Sequence, residues 1–157
     1  MLFRSVISYD SQNISAQGPV WSFTVEGLFI SISPSNELYV DNSAGTGTIS
    51  VTSNISWSAN ASDSWLTITS GANGTNNGTI EYSYATNTST SSRTATITVS
   101  GNGASNQTLT ITQQGEAPNL AMNPSGNLTV ASGSGTGNIS VTSNISWSAN
   151  ASDSWLT

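Results

Sequence analysis

The stretch ISVTSNISWSANASDSWLT fills residues 49–67 and recurs letter for letter at residues 139–157, a period of 90. A repeat that long encloses a whole small domain rather than one turn of a solenoid. The match runs upstream without a gap: Pro34, Leu38, Val40, Gly45 and Gly47 return as Pro124, Leu128, Val130, Gly135 and Gly137. The chain therefore reads as a tandem array, with a leader over residues 1–26, a complete copy over 33–115 and a truncated second copy over 120–157. Residues 26–32 read as a short linker.

Within the first copy, apolar residues alternate with polar ones at period two, the mark of strands with one buried face. Ile49 and Val51 form one such run, Ile55, Trp57 and Ala59 the next, and then come Leu66 with Ile68, Ile80 with Tyr82 and Tyr84, Ala95 with Ile97 and Val99, and Leu109 with Ile111. AGTG at residues 44–47 reads as a turn, and the glycine-rich run 71–78 as a separator. Leu38, Tyr39 and Val40 make a short strand of their own. No segment carries a helical period, so the expectation is about seven strands in an all-β, immunoglobulin-like antiparallel sandwich, repeated in tandem.

Charge narrows the choice of partners. The formal charge is −6, with no lysine and with Arg4 and Arg93 as the only bases. Binding nucleic acid needs several cations to displace phosphate counterions, so that partner class is excluded, as is an anionic membrane surface. Membrane insertion is also not expected, because no apolar run approaches the roughly 18 residues of a span. Only 6% of residues are charged, which leaves Ser, Thr, Asn and Gly to build the wet surface.

Two resemblances emerge from these runs. Residues 1–26, with a Y-D-S turn and the strand P-V-W-S-F-T, resemble the C-terminal end of a fibronectin type III domain. The order S-N-I-S-W, then W-L-T-I, a glycine loop, N-T-S-T-S-S-R-T-A-T-I-T-V and Q-T-L-T-I-T-Q-Q-G resembles the BACON domain (Bacteroidetes-associated, carbohydrate-binding, often N-terminal). Trp57, Trp65, Asn87, Arg93 and the 110–115 close carry that likeness. It implies an immunoglobulin-like sandwich on secreted, surface or phage proteins, often in the company of glycan-degrading enzymes, and it brings no residue-level binding motif.

Chemistry has little to work with. Histidine and cysteine are absent, and the acids of the full copy, Glu37, Asp41, Asp63 and Glu81, form no recognisable pair of the kind a glycosidase holds across a cleft. No catalytic residue, cofactor or metal site is expected. The core is assigned to Trp57, Ile55, Ile80, Tyr82, Ile97, Val99, Leu109 and Ile111. Trp57 shares a face with Ile55 and Ala59, and a buried ring of its kind covers about 150–250 Å². Trp65 falls on the face opposite Leu66 and Ile68 unless a bulge shifts the register, which leaves core cover, ligand stacking and inter-domain contact open. Trp65 and Tyr84 are the candidate ligand-binding residues, and Arg93 is expected to pair with a carboxylate or to cap loop carbonyls.

The functional expectation is a non-catalytic repeat module of a larger extracellular, surface or phage protein. It acts as a spacer with possible weak glycan or mucin binding, beside neighbouring domains of the same parent chain. The alternative is a dedicated carbohydrate-binding adhesion module that uses exposed aromatics.

Overall fold

The computed structural model describes residues 27–157, so the fibronectin-like reading of residues 1–26 lies outside the described residues. The described chain is all-β. Nine strands belong to the first copy: β1 (Ile30–Ser33), β2 (Leu38–Val40), β3 (Gly45–Ser53), β4 (Ser56–Ala61), β5 (Leu66–Ser70), β6 (Asn73–Thr75), β7 (Gly78–Tyr84), β8 (Arg93–Ser100) and β9 (Gln107–Gln113). They form two sheets, ordered β1-β3-β7-β5 and β2-β9-β8-β4-β6. All neighbours run antiparallel except β2, which lies parallel to β9 with Leu38 opposite Ile111.

The alternation read from the sequence becomes a burial alternation, because successive side chains in a strand point to opposite sides. Ile97, Val99, Leu109 and Ile111 are fully buried from the second sheet, and they meet Ile49 and Ile80, also fully buried, from the first. Each such side chain contributes about 1.5–3 kcal/mol by leaving water. Ile30 and Ile32 complete the inner layer of the first sheet. The segment read as a linker is thus a strand: β1 pairs with β3, placing Ile30 opposite Ser53 and Ile32 opposite Val51. The chain then crosses to the other sheet, so the opening strand is shared between the two layers.

Ile55 departs from the core assignment. It precedes β4 in the turn after β3, where it is half-buried and packs against the core from outside. That turn is tied by side chains. The Ser53 hydroxyl donates to the Phe29 carbonyl at 3.0 Å and accepts from the Ile55 amide at 3.1 Å, while Asn54 Oδ1 accepts from the Phe29 amide at 3.0 Å. Turn bonding satisfies the backbone groups here, and the ladder starts again one residue later.

Residues after 116 repeat the opening of the fold. β10 (Leu120–Asn123) pairs with β11 (Ser140–Ser143), with Leu120 opposite Ser143. Ser143 donates to the Asn119 carbonyl at 3.0 Å and accepts from the Ile145 amide at 3.0 Å, and Asn144 Oδ1 accepts from the Asn119 amide at 2.8 Å. Identical letters therefore give the same turn twice. The apolar residues Leu120, Met122, Ile139 and Trp147 are exposed in this copy; they match Ile30, Ile32, Ile49 and Trp57, which are buried in the first.

Candidate functional site

Trp57 sits on β4 with 5% of its surface exposed. Its Nε1–H donates to the Asn76 carbonyl at 2.8 Å. Residue 74 lies opposite it in the β4–β6 ladder, and a Cβ at Gly74 or Gly78 would run into the edge of the indole. Asn76, at φ 63°, turns the chain between them. The run 71–78 is therefore more than a separator. It contains β6, and its glycines are the clearance that lets a buried indole lie against backbone.

A second pair of glycines does the same for tyrosine. Gly45 lies opposite Tyr84 and Gly47 opposite Tyr82 in the β3–β7 ladder, and a Cβ at either position would overlap the phenol end of its partner. AGTG is thus strand and not turn, with Gly45 and Gly47 inside β3. Tyr82 is buried, and that burial, with a smaller repulsion from Tyr84, raises its hydroxyl pKa. Tyr84, one of the two candidate ligand residues, is half-buried and lies across Gly45.

Trp65, the other candidate, immediately precedes β5 and is half-buried. The Arg93 guanidinium carbon lies 4.3 Å from the centre of its ring, so one ring face is taken by protein. Arg93 is fixed by donating from Nε to Gln113 Oε1 at 2.9 Å and from Nη2 to the Ala85 carbonyl at 2.6 Å. Gln113 is fully buried and its Nε2 donates to the carbonyls of Asn42, Ser43 and Ala85. Asn87, also buried, donates to the Ser91 and Gln114 carbonyls. These side chains tie the loops at one end of the sandwich together through their backbone carbonyls. The bulge falls later than Trp65, between Ile68 and Ser70.

The most open ring of the complete copy is Tyr39, at 68% exposure on edge strand β2, against 41% for Phe29. Its hydroxyl donates to Glu37 Oε2 at 2.8 Å, and the Thr112 hydroxyl donates to Glu37 Oε1 at 2.6 Å. Thr112 is in turn hydrogen-bonded to Thr94 at 3.1 Å. The bonds from Thr112 and then Tyr39 hold the Glu37 carboxyl below the usual glutamate range, and Glu37 raises the Tyr39 hydroxyl. The sequence alone does not single out this group, because a three-residue strand gives too little alternation to show which side faces out. One signal is legible in it: the second copy carries Asn127 and Thr129 at these places, alternating with the matching Leu128 and Val130.

The other acids stand apart from that patch. Asp41 accepts from the Ser43 amide at 2.9 Å within a turn. Glu81 borders a shallow hollow on the outer face of the first sheet with Thr46, Thr48 and Thr69. Among the described residues, no three or more His, Cys, Asp or Glu side chains come together as a metal site would require.

Comparison with known proteins adds a family. The viral BACON domain matches residues 29–116 and, a second time, residues 119–157. The chain belongs to the viral BACON domain family. The start of the first match agrees with β1 as the opening strand of the BACON sandwich. No curated protein matches the chain. Among solved structures, it is similar to a Bacteroides ovatus GH5 xyloglucanase in complex with a XXXG heptasaccharide, at 23% identity and a TM-score of 0.51. That likeness covers 55% of this chain and 19% of the other, so it is a likeness of fold to a part of that protein. A protein from Bacteroides thetaiotaomicron, solved by NMR, aligns at 13% identity over 62% of this chain and 95% of its own, with a TM-score of 0.37.

Proposed function

We propose that this chain is a stretch of non-catalytic BACON beads from a larger protein outside the cell, on a cell surface or a virus particle, which sets distance and holds glycan or mucin weakly. The observation that carries this reading is the use made of the large rings. Trp57 and Tyr82 are buried, Trp65 lies under Arg93 and Tyr84 lies across Gly45, so among the first bead's described rings Tyr39 and, in part, Phe29 are what stays open to a ligand. Its outer skin is Ser, Thr and Asn. Weak sites in a repeated chain gain by effective concentration, because linked modules make the second contact intramolecular. The xyloglucanase likeness supports carbohydrate company for this fold.

The test is retention of the full 157-residue chain on a glycan array and in gels cast with mucin, as single molecules and displayed in many copies on beads. Retention that rises steeply with display supports the reading. No retention under either condition leaves the spacer alone, and release of reducing sugar from any glycan would overturn the non-catalytic part.

A further inference from the structure

We infer that Tyr39, with Glu37, Thr112 and Thr94, forms the contact site of the first bead for an uncharged glycan. This rests on the glycan part of the proposed function and gives it an address.

The placement of the hydroxyl hydrogens decides what chemistry the group can meet. Tyr39 donates to one Glu37 oxygen and Thr112 to the other. The bond between Thr94 and Thr112 must then carry the Thr94 hydrogen, since that of Thr112 is already used. A hydroxyl has one donor and two acceptor sites, and a carboxylate about four acceptor sites. Every hydroxyl hydrogen in the group is thus used within it, and what the side chains offer to solvent is a row of unused lone pairs. A ligand matched to such a row brings O–H donors. An acceptor-only anion such as a sulfate or a sialic acid carboxylate finds no side-chain hydrogen in this group, and Glu37 repels it. Among the described residues of the first bead the cation is Arg93, and it is engaged with Trp65.

The ring supplies the second element. Tyr39 is 68% exposed but held at its hydroxyl, so an open aromatic face is offered with less side-chain freedom to lose on binding. The negative face of an aromatic ring attracts the weakly positive C–H groups that line one side of a sugar. Tyr39, Thr112 and Thr94 stand in register across β2, β9 and β8. With strands about 4.8 Å apart, the row extends roughly 10 Å, the length of a pair of linked sugar rings. β2 is the sheet edge, so one side of the ring is free of a further strand.

The repeat keeps the apolar residues of this segment and changes the polar pair. Leu38 and Val40 return as Leu128 and Val130, whereas Glu37 and Tyr39 give way to Asn127 and Thr129. The two beads differ at the patch while residues 49–67 and 139–157 are identical.

That difference supplies the test. The full chain and its E37N/Y39T double variant, which gives the first bead the residues of the second, are run in affinity gels cast with xyloglucan, with galactomannan, and with mucin before and after sialidase. A Y39F variant keeps the ring and loses the tether. The expected result is retardation of the parent by a neutral polysaccharide or by desialylated mucin. Affinity falls at least about ten-fold in the double variant and by less in Y39F, with circular dichroism and Tm confirming that both are folded. Equal retardation of parent and double variant removes the site and leaves the glycan reading standing. Retention confined to sialylated mucin, or binding of a lysine-rich peptide that is lost at high salt, overturns the uncharged-glycan assignment. A parent retained by nothing overturns both the site and the glycan reading.

Discussion

The indole N–H of Trp57 donates to the Asn76 carbonyl at 2.8 Å, across a loop whose glycines at 74 and 78 are cut back to admit the ring. The residue most needed for the interior of the sandwich thus also dictates the shape of the loop beside it. Trp57→Ala is expected to cost about 3–5 kcal/mol. Gly74→Ala, which drives a methyl into the same ring, is expected to cost about 1–3 kcal/mol. Because both act on one contact, the double variant should fall short of the sum. Urea unfolding of the four proteins measures the coupling, and strict additivity would mean that ring and loop are independent.

Arg93 shows how one cation is used in a chain that has almost none. Arg93→Ala removes the cover from Trp65 and leaves the buried Gln113 Oε1 short of a donor, while the Ala85 carbonyl keeps its bond from Gln113 Nε2. The expected loss is about 1–3 kcal/mol, the desolvation cost of an unmet polar group, while the stacking itself contributes about 0.5–1 kcal/mol. Arg93→Lys should recover part of this at most, because an ammonium cannot reproduce the fork that reaches both partners. A Lys variant as stable as the parent in urea would show that charge alone matters.

Glu37 gives stability a defined dependence on pH. Hydrogen bonds from Thr112 and Tyr39 lower its pKa in the folded state. Its contribution is therefore present above the unfolded-state value of about 4.3 and is lost as pH falls through the lower folded value. Glu37→Gln should unfold at a lower temperature than the parent at pH 6, and the gap should close progressively below about pH 4. Thermal melts of both proteins across that range test the sign. A gap that widened in acid would contradict the hydrogen bonding described for the carboxylate.

What the sequence discloses and what it withholds divide along one line. Where a residue's partner is the strand pattern itself, as for Ile97, Val99, Leu109 and Ile111, alternation is enough to read it. Where the partner is a distant residue, the letters are ambiguous. Gly45 and Gly47 give the same signal whether they turn the chain or lie flat under Tyr84 and Tyr82, and only the β3–β7 register separates the two. Ile30 and Ile32 sit in a strand of four residues, too short to stand out from a linker. Trp65 can be weighed only as a ring in need of cover, since Arg93 comes from another sheet. The Tyr39 group joins three strands and has no motif along the chain, although its replacement by Asn127 and Thr129 marks the place.

The second copy offers the most direct control on how the bead is held together. Trp147 and Trp155 are 53% and 72% exposed, and Leu120, Met122 and Ile139 are open beside β10 and β11. In the first bead the matching residues are covered by β7, β8, β9 and the glycine loop, all drawn from residues 71–113. In the 157-residue polypeptide, chymotrypsin should therefore cut after Trp147 and Trp155 well before it cuts after Trp57 and Trp65. Joining a second copy of residues 68–115 after Thr157 supplies an opposing layer, with counterparts of Gly74 and Gly78 for clearance and of the Asn76 carbonyl for Trp147. Both late sites should then become as resistant as their counterparts, with tryptophan emission shifting to shorter wavelength. If the late sites were already as resistant in the 157-residue chain, residues 119–157 would have a fold of their own that owes nothing to the second sheet. The cradle around Trp57 would then be dispensable for protecting that indole.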